Sequence, residues 1–164
     1  MKPHRSRGVT LLEMLIGLAI LAVLASLALP SMHDRLARER LGNAAESLAA
    51  DLADARFEAA RRGAPLHVEL TLGAEWCWGI AAAPGCACGA PQSCQLKAVR
   101  AQDHPGVRLV SGRSAMLDAH GMPSGLLAAT FDSAQHESLR VELLALGRAR
   151  VCALHGPSAR YAPC

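Results

Sequence analysis

One carboxylate, Glu13, stands inside an otherwise uncharged run of 21 residues from Val9 to Leu29, behind a leader that carries Lys2, Arg5 and Arg7. About 20 apolar residues let a helix cross the hydrocarbon core of a membrane. A carboxylate at that depth costs roughly 2.5 kcal/mol or more unless a cation meets it. Glu13 is therefore a functional residue whose partner has to be found. The cysteines at 77, 86, 88, 94, 152 and 164 offer a second chemistry. They allow many disulfide pairings, and the sequence does not choose among them. The competing use is a zinc site built from Cys86-x-Cys88 and Cys94. Structural zinc takes C-x₂₋₄-C spacings in two matched halves, and C-x-C without a second half fits poorly. A third set is cationic. Alternate residues on a strand point to one side about 7 Å apart, so Arg148 and Arg150 would form a small comb, which Arg140 and Arg160 could extend. Guanidinium forks suit phosphate oxygens. Such arginines can equally be solvated edge residues that discourage strand-to-strand aggregation.

The elements that must position these residues follow from hydrophobic periodicity. Pro30 closes the apolar run, where proline removes a hydrogen bond and kinks a helix. From Met32 to Arg62 the pattern stays helical and becomes amphipathic, with Leu41, Ala45, Leu48, Leu52, Ala55 and Ala59 at three- and four-residue spacing. Gly63-Ala-Pro65 ends it. One long helix over 9–62 results. After Pro65 the period becomes two. Leu66–Leu72 and Trp76–Ile80 read as strands, and 84–94 as a cross-linked loop rich in Pro, Gly and Cys. Gln95–Ala101, Val107–Val110, Ala115–Asp118 and Ala128–Phe131 are further strand candidates. Leu139–Leu146 and Arg148–Cys152 form a hairpin or bent strand pair turning at Gly147. The fold class is α+β. With only 3% aromatic residues, the core must come from aliphatic side chains, two tryptophans and disulfides.

The leader, Gly8, Glu13 and Pro30 together resemble the N-terminus of type IV pilins and of the pseudopilins of type II secretion. The resemblance implies a type IV pilin-like fold: a long N-terminal helix, transmembrane in its first half, packed on a C-terminal antiparallel β-sheet domain. It implies a leader at 1–8, a transmembrane and filament-core helix at 9–30, its amphipathic continuation at 31–63 and a disulfide-linked periplasmic β domain at 64–164. A prepilin peptidase would cut between Gly8 and Val9, and the new amine would be methylated. Val9 stands where the family usually has phenylalanine. Glu13 would meet the N-terminal amine of a neighbouring subunit, so two buried charges offset each other only on assembly. A secretory signal peptide or a simple membrane anchor is the plainer reading, but neither needs an acid within its apolar run. Removing residues 1–8 leaves 14 basic and 14 acidic residues, so the mature chain is close to neutral. A periplasmic setting is oxidising and favours disulfides. The family's frequent C-terminal cysteine pair implies Cys152–Cys164, leaving Cys77, Cys86, Cys88 and Cys94 to pair among themselves.

Leu52-Ala-Asp-Ala-Arg-Phe-Glu-Ala-Ala-Arg-Arg-Gly63 resembles the helix end of the GspH/FimT group. Gly147-Arg-Ala-Arg150, Cys152 and Cys164 resemble the C-terminal region of FimT-type minor pilins, where a Gly-Arg-x-Arg element is associated with DNA binding during natural transformation. From Arg140 to Cys164 there are four basic residues and one acid, Glu142. Contact with double-stranded DNA there would ignore sequence and weaken steeply with salt. The resemblance implies a minor pilin that takes part in pilus assembly, with other pilins, the prepilin peptidase and the inner membrane as partners. The alternative is a GspH-like minor pseudopilin of a type II secretion system. The expected location is the inner membrane, with the β domain periplasmic, and the surface filament. Tyr161, the only tyrosine, is expected to pack beside the C-terminal loop. No metal-ligand spacing among the seven histidines, no G-x-S-x-G and no phosphate loop appears, so neither an enzyme nor a cofactor is expected. His120 and His155 are expected in surface turns.

Overall fold

In the computed structural model, residues 10–90, 93–156 and 160–164 are described, with backbone alone at 27–31. The chain divides into two compact units, Met1–Leu36 and Ala37–Cys164. Helix α1 spans Leu11–Arg62. Thr10 caps its start, its Oγ1 accepting from the Glu13 N–H at 3.3 Å, so one otherwise orphaned donor is satisfied. At the far end the Gly63 N–H donates to Ala60 O and the Ala64 N–H to Ala59 O. These two bonds use the last carbonyls and stop the helix. Among the described residues no helix is long and apolar enough to cross a membrane. The run expected to do so extends beyond them at Val9 and, in its side chains, at 27–29.

The second unit is an antiparallel α+β domain. One sheet contains β1 (Leu66–Thr71), β2 (Cys77–Ala81), β3 (Lys97–Arg100), β5 (Ala115–Leu117) and β6 (Pro123–Ser124), in the order β3-β2-β1-β5-β6. The other contains β4 (Val107–Gly112), β7 (Leu127–Ser133), β8 (Ser138–Leu143) and β9 (Ala149–His155), in the order β4-β7-β8-β9. Leu41, Ala45, Leu48, Leu52, Ala55 and Ala59 of α1 are all buried, and both sheets contribute to the core they enter. Truncating Leu48 or Leu52 to alanine removes packing worth about 2–5 kcal/mol.

Strand β2 is buried along its whole length because both of its faces are covered. Trp78 and Ile80 face the core beside Trp76. The Trp76 ring donates to Val107 O at 2.9 Å and the Trp78 ring to Asp51 Oδ2 at 2.8 Å, which settles the polar end of each indole. Cys77, Gly79 and Ala81 face the other way, against the cross-linked loop. There Cys77 is bonded to Cys88 and Cys86 to Cys94. A Cβ on Gly79 would lie 2.4 Å from Cys94 Sγ and 2.7 Å from Cys86 Sγ, so only glycine fits under the two bridges.

Candidate functional site

At the N-terminal end, Gly8 and Val9 lie outside the described residues. Glu13 sits in the first turn of α1, where the helix dipole favours an acid. From Leu11 to Leu24 the large apolar side chains are exposed; Leu11 is 81% accessible and Leu21 63%. Among the described residues of its own unit, this stretch meets no partner that buries them.

The C-terminal arginines divide into separate groups. Register partners share a face of a sheet, and Glu142 stands opposite Arg150, and Arg140 opposite Cys152. Arg150 Nη2 donates to Glu142 Oε2 at 2.9 Å. Arg140 Nε lies 3.3 Å from Glu142 Oε1; the contact is ionic, since this buried nitrogen makes no hydrogen bond. One carboxylate thus serves two arginines. Arg148 precedes β9 and does not alternate with Arg150 along a strand. Its carbonyl accepts from the Leu144 N–H at 2.9 Å and closes the β8–β9 turn, and its side chain is exposed. The expected comb is therefore one exposed turn arginine beside one paired strand arginine, because the strand begins at Ala149.

Arg160 belongs elsewhere. Its guanidinium lies 2.9 Å from Glu46 Oε1 and 3.7 Å from Glu39 Oε2, both on α1, and 5.6 Å from the centre of the Tyr161 ring. Tyr161 donates to Glu46 Oε1 at 2.6 Å. Burial and the Glu46 carboxylate hold its phenol well above the ordinary range, at about 12. Cys152 is bonded to Cys164. The Ala153 N–H donates to Ala162 O and the Cys164 N–H to Ala153 O. The C-terminal segment thus straps part of the β9 edge and reaches α1. His155 is the last residue of β9 rather than a turn residue, since the ladder continues past Cys152 to Ser138↔His155.

Other titratable groups are structural. His104 stacks on both tryptophans, and burial pushes its imidazole below the usual value. Hydrogen bonds from the Met122 and His120 N–H groups hold Asp118 low. Asp51 accepts from Trp78 and lies 3.2 Å from Lys97 Nζ. It borders an open groove of about 390 Å³ whose apolar lining includes Phe57, Ile80 and Leu96. Among the described residues no cluster of His, Cys, Asp or Glu is placed to hold a metal ion.

Glu142 was the site residue hardest to weigh from sequence, though the hairpin centred on the Gly147 turn places it opposite Arg150. Glu46 and Glu39 give no such signal, because they meet Arg160 across more than a hundred residues of chain.

Residues 3–29 match the model for the prokaryotic N-terminal methylation motif, and residues 44–147 match the model for the type II transport protein GspH. A pilin-like protein of Thermus thermophilus, PilA1, is 54% identical over 59 residues, which is 35% of this chain and 36% of that protein. The match therefore spans about a third of that relative's length. No solved structure matches the chain.

Proposed function

Because the chain belongs to the GspH family of type IV pilin-like proteins, we propose that it is a minor pilin, processed at the Gly8–Val9 bond and anchored in the inner membrane until it enters a filament. One observation carries this reading. The methylation motif covers the stretch holding Gly8 and Glu13, and the bare apolar side chains of Leu11–Leu24 continue on the same helix into the GspH-matched domain. Such a stretch is stable in lipid or against other helices, and in water it is an exposed apolar surface. Glu13 then meets the methylated amine of a neighbour, and the pair stabilises only the assembled state. A Glu13→Gln variant is expected to be cut normally but to enter filaments poorly. Normal incorporation would overturn the role given to Glu13. The alternative within the family is a minor pseudopilin of a type II secretion system. Gene neighbourhood would separate the two.

DNA contact is a second activity of the same subunit, favoured by the exposure of Arg148 at the β8–β9 turn and of Arg150 in β9. Arg140, Arg150 and Arg160 contribute less than Arg148, since carboxylates already hold them.

A further inference from the structure

We propose that the end of the second sheet formed by Leu126, Leu144, Leu146 and Arg148 docks another pilin-like subunit, one that presents an apolar patch edged by carboxylates. The inference rests on the filament-subunit reading and adds an interface outside the N-terminal helix. Leu127 and Leu143 are register partners, so Leu126 and Leu144, one step beyond, flank the same end of the β7–β8 ladder. The β8–β9 turn sets Leu146 and Arg148 beside them. Leu127 and Leu143 point inward and are buried, whereas Leu126 and Leu146 are each 73% exposed and Leu144 40%. A single exposed leucine needs no explanation, but three at one sheet end form a patch.

The patch is held in place. The Leu144 N–H donates to Arg148 O at 2.9 Å and the Gly147 N–H to Leu144 O at 2.7 Å, so backbone bonds tie the turn, which rests against the Arg56 side chain of α1. At the opposite end of the same sheet, Glu137 pairs with Arg38 at 2.7 Å. The leucines therefore lie at the end of the second unit remote from Ala37, where the chain enters it.

Charge and apolarity together select the partner. Arg140 and Arg150 share Glu142, Arg148 is exposed at the turn and Arg56 lies against Gly147, so these side chains together carry a net positive charge that calls for carboxylates. DNA would satisfy the arginines and leave the leucines in water. A protein face supplies both, and the family's own mode of action provides one in the next subunit.

The test uses the full chain in cells that assemble filaments, with photoreactive benzoylphenylalanine in place of Leu146, and a control with the same group in place of Leu18. Leu146 is exposed, so the replacement does not touch the core. The expected adduct at 146 contains a protein that carries the N-terminal methylation motif, identified by mass spectrometry, and falls several-fold when Arg148→Glu is added. Adducts at 18 without any at 146 would overturn the docking surface and leave the filament reading standing. Adducts at neither position would overturn both. An adduct at 146 with DNA, lipid or a protein lacking the motif would also overturn the docking surface.

Discussion

Arg150 and Glu142 stand directly opposite each other across the β8–β9 ladder, with Nη2 2.9 Å from Oε2. The same carboxylate faces Arg140. Arg150 is half exposed, so the pair contributes at most about 1 kcal/mol. Its effect on charge is larger, because it masks the cations assigned to DNA. Glu142→Gln should leave stability nearly unchanged and raise the affinity of the Ala37–Cys164 unit for duplex DNA several-fold. The dependence of log affinity on log salt should steepen by about one to two. That unit holds all three disulfides and, among the described residues, the hydrophobic core, so it can be tested alone. Unchanged binding, or none in either form, would remove DNA from the account.

The C-terminal strap has its own probe, because Tyr161 is the only tyrosine. Tyrosinate absorbance should titrate at about 12 rather than near the free value of about 10. Glu46→Gln removes the neighbouring charge and leaves only a neutral amide acceptor, and should bring the midpoint down. A midpoint that ignores Glu46 would contradict the contact between the strap and α1.

His104 predicts an acid-side loss of stability. Burial against Trp76 and Trp78 disfavours the imidazolium, so the folded chain takes up this proton less readily than the unfolded chain. Asp103 and Asp51 oppose that shift but do not cancel it. The contribution is full above the unfolded value of about 6.5 and is lost as pH falls below it. In urea denaturation across this range, His104→Phe keeps the stacking and should flatten the slope below about pH 6.5. An equal slope in both proteins would show that His104 is not its source.

Gly79→Ala should be among the most damaging single-methyl additions in the domain. Its Cβ would fall within 2.7 Å of the sulfurs of two cysteines joined to each other, and overpacking of this kind costs about 1–3 kcal/mol. Thiol titration of the unfolded chain would report bridges that failed to close, and a fully oxidised, equally stable variant would contradict the packing described.

Much of the fold was legible, since period-two alternation at 66–72 and 139–143 leaves little choice of element, and Leu41 through Ala59 mark one face of a helix. Strand order was not legible. β4 pairs with β7 across an intervening β5–β6 segment, and no local pattern encodes that. The two-sided burial of β2 was also hidden, because Cys77 and Gly79 look like the solvent half of an alternation until the disulfide loop covers them. Among the arginines, sequence supplied the residues but not their company. Arg148 and Arg150 share a strand only if β9 starts one residue earlier, and Arg160 meets Glu46 through the tertiary fold alone.

The most direct test of the filament-subunit account is intact-mass and N-terminal analysis of the chain recovered from membranes that contain a prepilin peptidase. The account predicts a chain that lacks residues 1–8 and begins at N-methylated Val9, with Gly8→Leu leaving the leader in place. A chain that keeps its leader, or one cut near Ala25–Ala28 like an ordinary secretory precursor, would contradict it.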